Sequence, residues 1–154
     1  MKQNNPDIHH RHSIRLKGYD YSQAGSACPE SNINIPQMIL NPYGEIIQQC
    51  YWDLEHKYPN IECCEYVIMP NHFHAIIKID RDAFRAGEPR PYVVTLGHIV
   101  GYFKYQSTKM INLHGQKLWQ RNYYEHIIQD EKAYHNISNY ILNNPAQWAY
   151  DRLR

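Results

Sequence analysis

No apolar run in the 154 residues approaches the ~18 that a membrane-spanning helix requires. No apolar stretch follows the charge at Lys2, so Met1 to Asp7 does not read as a secretory signal, and a cytoplasmic, single-domain protein of residues 1–154 is expected. Cys28, Cys50, Cys63 and Cys64 lack the CxxC spacing of zinc ribbons and thioredoxin-like sites. They read instead as reduced thiols, with Cys63 and Cys64 on opposite faces of a strand. An excess of charge is missing too: 16 Lys and Arg stand against 15 Asp and Glu, a net +1, so bulk electrostatics do not announce nucleic acid. Hydrophobic residues make up 43%, enough for a core.

What is present is uneven. Arg11, Arg15 and Lys17 cluster near the start, Arg81, Arg85 and Arg90 follow in one segment, and Lys104, Lys109, Lys117 and Arg121 in another. Fourteen tyrosines and three tryptophans offer flat faces on which unpaired bases could stack. A solvated basic surface over a tyrosine-rich core explains the same composition, so composition alone leaves both readings open.

Residues 1–19 read as a polar, basic arm, and 19–36, rich in Ser, Gly, Asn and Pro, as loop. A short strand is expected at Gln37–Leu40. Asn41-Pro42 then starts a helix, Asn41 as N-cap and proline at the first helical position, with Ile46, Ile47, Cys50, Tyr51 and Leu54 at helical spacing and an end near Lys57. Ile61–Met69 and His72–Ile79 predict a hairpin turning at Pro70-Asn71. A charged loop follows from Asp80 to Pro91. Thr95 caps a helix to about Asn112, Leu118–Ile128 has room for a further short strand, and Asp130 caps a last helix ending near Asn143, before Pro145. The order predicts an α+β fold, an antiparallel sheet covered by helices.

Residues i and i+2 of a strand share a face, so His72 and His74 project together while Phe73 points the other way. Two adjacent imidazoles are a ready ligand pair for a divalent ion, although two hydrogen-bonded histidines would show the same spacing. Tyr140 and Asn144, four apart, share a face of the last helix. A tyrosine hydroxyl can attack a phosphodiester and an amide oxygen can reach a metal beside it. A packing tyrosine and a helix-ending asparagine are the plainer account of that pair. His9-His10-Arg11-His12 looks like a metal tag, but in a basic arm it reads as contacting phosphate or as having no role.

Four motifs nevertheless occur together and in order: Met69 to His74, Gly101 to Lys109, Trp119-Gln120-Arg121-Asn122-Tyr123-Tyr124-Glu125-His126, and Tyr140 to Pro145. In these the chain resembles the IS200-like single-tyrosine (Y1, HUH) transposases, above all their REP-associated branch. The resemblance implies a ferredoxin-like antiparallel sheet with helices on one face. It implies His72 and His74 as the metal pair, Asn144 as third ligand, Tyr140 as nucleophile, and Mg²⁺ or Mn²⁺ as the ion. It further implies a single-stranded DNA endonuclease and strand transferase acting at hairpins through a 5′-phosphotyrosine link, as monomer or homodimer. Arg11, Arg15, Lys17, Lys104, Lys109 and Arg121 are the candidates for DNA backbone contacts. Tyr123 and Tyr124 are rival nucleophiles without a ligand four residues on.

The sequence departs from the family where Ala24-Gly25 leads into a polar segment with two prolines, in place of an apolar strand. A sheet one strand short would follow, and a repeat-hairpin binder that has lost cutting is the alternative reading.

Overall fold

The computed structural model describes residues 8–15, 22–24, 38–80, 94–112 and 114–148, the first two segments as backbone alone. Along the chain run β1 (Ile8–Arg15), β2 (Ser22–Ala24), β3 (Met38–Leu40), α1 (Pro42–Lys57), β4 (Ile61–Met69), β5 (His72–Ile79), α2 (Leu96–Ile111) and α3 (Glu131–Gln147). This is the α+β class expected.

Local chemistry sets most boundaries. The Asn41 side chain accepts from the Tyr43 and Gly44 amides at 3.1 and 3.0 Å, with Pro42 in the first turn of α1. These amides have no partner within the helix, which is why an N-cap side chain stabilises it. Thr95 caps α2 in a reciprocal box with His98, and Asn112, at φ 47°, ends it in the left-handed conformation that asparagine tolerates. Asp130 caps α3 by accepting from the Ala133 amide at 2.7 Å.

Antiparallel strands in the order β1-β5-β4 form one sheet, and β2 pairs with β3 in a second. Met69 pairs with His72 across the two-residue turn Pro70-Asn71. Central position explains why β5 is buried at every residue except Lys78. One face of the sheet, with Cys63, Ile68, Phe73 and Ile77, packs under α1 and α2 around Ile47, Tyr51, Ile99 and Phe103. The other face, through Val67, Met69 and Ile76, meets Ile128 and Ile141 of α3. The helices α1 and α2 thus share one face, and α3 lies on the opposite one.

A β-bulge breaks the β4–β5 register between Cys63 and Tyr66, so Cys64 and Glu65 both stand opposite Ile76. The buried Tyr51 hydroxyl of α1 lies 2.9 Å from the Ile76 carbonyl and 3.1 Å from that of Cys64, donating into the irregularity.

Four expectations change. Ser22–Ala24, read as part of a loop, is a strand paired antiparallel with β3. Ile8–Arg15, read as part of an arm, is a strand. Its polar alternation gives no strand signal, and the pairing comes from backbone groups meeting the edge of β5. The segment Leu118–Ile128 forms no strand, only isolated bridges at Trp119, Tyr124 and Ile127. Leu118 and Trp119 join the α1/α2 core and Ile128 the α3 core, so the segment passes from one sheet face to the other and cannot run along either. Finally, α3 continues through Pro145 to Gln147, because a proline near a helix end removes only one backbone bond. Lys17, residues 25–36 and nearly all of the 80–91 loop lie outside the described residues.

Candidate active site

His72 and His74 start β5 on the sheet face covered by α3, and both are buried. Their ring centroids are 4.8 Å apart. Two imidazoles binding one ion at ~2.1 Å per nitrogen would stand about 4.5 to 5 Å apart by centroid, so the spacing fits a shared metal. The Asn71 amide oxygen lies 2.6 Å from His72 Nδ1. That oxygen can only accept, so Nδ1 carries the proton and Nε2 keeps its lone pair for a ligand. Sequence reading took Asn71 only as a turn residue; its place directly before the histidine was the available signal.

From α3, the Tyr140 ring meets His74 edge-on at a centroid distance of 5.6 Å while remaining 36% exposed. One turn on, Asn144 is 4% exposed, an amide carried into the protein on the same side of the helix. Trp148 follows, its ring 6.2 Å from His72. Among the described residues no group of three or more His, Cys, Asp or Glu side chains could hold a metal. The structure thus brings His72, His74, Tyr140 and Asn144 to one side of the sheet, the histidines at least 66 residues before the α3 pair in sequence.

An uncharacterised protein of Haemophilus influenzae is 38% identical over 97% of the chain and 96% of its own length. The chain belongs to one family with it. A second Haemophilus influenzae protein, assigned to the REP-associated tyrosine transposases, is 26% identical over 72% of the chain and 64% of its own length. The solved structure of a REP-associated tyrosine transposase bound to a REP hairpin superposes with a TM-score of 0.63 at 17% identity, covering 99% of the chain and 74% of that protein. In sequence the chain is thus similar to a REP-associated tyrosine transposase, and in fold to a solved one. No protein-family model matches it.

On this transposase fold the remaining candidates lie elsewhere. Lys104, Lys109 and Arg121 line an open groove of about 570 Å³ between α2 and the loop after it, together with Tyr105, Lys117 and Gln120, and none of the described residues lining it is acidic. The groove is on the α1/α2 side, away from the His pair. The loop is pinned by Trp119 Nε1 donating to Ser107 Oγ at 2.8 Å and by Lys104 Nζ donating to the Gln120 carbonyl at 2.8 Å. Burial lowers the pKa of Lys104. Arg11 and Arg15 pair through their backbones with Ile76 and His72. The rival Tyr124 is exposed, while burial, followed by the charge of Glu125, raises the pKa of Tyr123.

Proposed function

We propose that the protein cuts and rejoins single-stranded DNA at hairpin-forming sequences, with Tyr140 as nucleophile and His72, His74 and Asn144 as the holders of a divalent ion, Mg²⁺ or Mn²⁺. The contact of the Tyr140 ring with His74, from a helix 66 residues along the chain, carries this reading. The relatives support the substrate class, since one solved relative is bound to a REP hairpin.

In the reaction, Tyr140 Oη attacks the scissile phosphorus in line as its proton leaves. An Oη–P bond forms and the P–O3′ bond breaks, giving a 5′-phosphotyrosine and a free 3′-hydroxyl. The covalent link conserves the phosphodiester energy, so a 3′-hydroxyl can reverse the step and join strands. A bound divalent ion would supply stabilisation of charge on the scissile phosphate and the leaving oxygen. Asn71 holds His72 in the tautomer that binding requires, and α3 sets where Tyr140 stands. Nitrogen-rich ligation is softer than Mg²⁺ prefers, so Mn²⁺ should serve better in vitro. Lys109, Lys117 and Arg121 would grip DNA phosphates, with Tyr105 offering a face for stacking.

The test is to incubate the protein with end-labelled hairpin DNA and Mn²⁺ and to resolve covalent adducts on denaturing gels. An adduct lost in Tyr140→Phe and on chelation is expected. An adduct that survives Tyr140→Phe moves the nucleophile to Tyr123 or Tyr124. Tight hairpin binding with no adduct leaves the non-cutting hairpin binder as the function.

A further inference from the structure

We propose that Glu65 is a positioning residue: from the β4 bulge it fixes the rotation of α3 about its own axis and so aims Tyr140 at the histidine pair. The inference rests on the role given to Tyr140 above. It concerns a residue on neither the metal pair nor the nucleophile helix, and nothing in the sequence pattern singles it out.

The bulge is the starting observation. With two residues opposite Ile76, Glu65 is displaced from the regular alternation of β4, and its half-buried carboxylate reaches α3. Tyr134 Oη donates to Glu65 Oε2 at 2.7 Å, an interaction spanning 69 residues. Ser138, buried and four residues further along α3, faces the same carboxylate and helps to lower its pKa. Tyr134 and Ser138 lie one turn apart on one side of the helix, so the acid faces two successive turns and bonds the first of them. Burial works against the Glu65 charge, but the hydrogen bond from Tyr134, with the polar groups of its own backbone and of Ser138 nearby, outweighs it and keeps its pKa below the usual range. Hydrogen bonds to a charged acceptor are shorter and roughly twice as strong as neutral ones. From the other side, the Tyr51 hydroxyl donates toward the Cys64 and Ile76 carbonyls, so the bulge itself is anchored to the α1 core.

Helical geometry turns this grip into an aim. At ~100° per residue, Ser138 and Tyr134 sit on one flank of the buried face centred on Ile141, and Tyr140 sits on the other flank. The contacts of Ile141 with Val67, Met69 and Ile76 are apolar and non-directional, so they resist lifting of the helix better than rolling. At a side-chain radius of about 6 Å, a roll of ~10° moves Tyr140 by about 1 Å. A misplacement of about 1 Å can cost ~100-fold in rate, which makes the roll angle a quantity worth fixing.

The test compares wild type, Glu65→Ala, Glu65→Gln, Tyr134→Phe and the double variant Glu65→Ala with Tyr134→Phe. The single-turnover rate of adduct formation is read at saturating hairpin DNA with Mn²⁺, beside hairpin affinity and amide hydrogen exchange along α3. Glu65→Ala should slow adduct formation by about tenfold or more and speed exchange in α3, with affinity held within about twofold. Glu65→Gln, whose amide oxygen still accepts from Tyr134, should recover most of the rate, and Tyr134→Phe should add little to Glu65→Ala. An unchanged rate in Glu65→Ala, or a loss of rate matched by loss of affinity, overturns the proposal. If the wild type itself forms no adduct, the functional reading fails separately. Exchange then decides: faster α3 exchange in Glu65→Ala than in wild type, with α1 and α2 unchanged, upholds the clamp, and equal exchange refutes it.

Discussion

Lys104 and Lys109 carry the same charge on the same helix and spend it differently. Lys104 Nζ donates to the Gln120 carbonyl, lies 3.4 and 3.5 Å from those of Arg121 and Asn122, and stands 5.6 Å over the Tyr123 ring. Its charge is committed to shaping the loop, whereas Lys109 is exposed along the groove. Replacing Lys104 with Met should lower the urea midpoint by an amount worth about 1 kcal/mol, with an unchanged slope. Lys109→Met should leave stability alone and flatten the logarithmic salt dependence of hairpin affinity by about 0.9. Identical behaviour of the two variants in both measurements would contradict this division. Both lysines stand out in the sequence as basic; that one of them closes a loop depends on carbonyls 16 to 18 residues away.

At the scale of elements, the parts readable in advance are those with local causes. The caps at Asn41, Thr95 and Asp130 and the hairpin turning at Pro70-Asn71 each depend on residues within a few positions, and each is where the sequence places it. The strand β1 and the β4 bulge are not readable this way. One forms because β5 offers an edge, and the other because Tyr51, from a helix, reaches the carbonyls that the bulge leaves out of the ladder. Tyr51→Phe keeps the ring contacts with Tyr66 and Phe73 but removes the donor. A loss of about 1 to 3 kcal/mol is expected in denaturant titration, the cost of leaving a buried carbonyl unsatisfied. A change within error would mean that the bulge does not depend on this hydroxyl.

At the scale of the whole molecule, the three described cysteines, Cys50, Cys63 and Cys64, are free thiols that titrate in the same direction. Burial, followed by the charge of Asp53, pushes the Cys50 thiol up to about 11; burial and Glu55 push Cys63 to about 12; burial and Glu62 push Cys64 to about 11. An ordinary thiol titrates near 9.0. The folded chain therefore keeps protons that the unfolded chain releases, so their contribution to stability is complete below about pH 9 and is lost as pH rises toward 11 to 12. Urea midpoints followed through this range should fall, and a Cys63→Ala variant should fall less steeply. A midpoint that stays flat to pH 11 would show that the thiols titrate normally. Alkylation at neutral pH should likewise be slow in the native protein and fast in denaturant.

The sequence by itself determined that His72 and His74 share a strand face, that Tyr140 and Asn144 share a helix face, and where the helices begin, because periodicity and capping act over a few residues. Only the tertiary structure decided that α3 lies across the sheet face opposite α1 and α2, that its Tyr140 comes to stand against His74, and that Glu65 holds the helix there. These depend on burial of Val67, Met69, Ile76 and Ile141 against one another and on a hydrogen bond joining positions 69 residues apart. No local pattern carries such contacts: they arise when the packed core sets which surfaces meet.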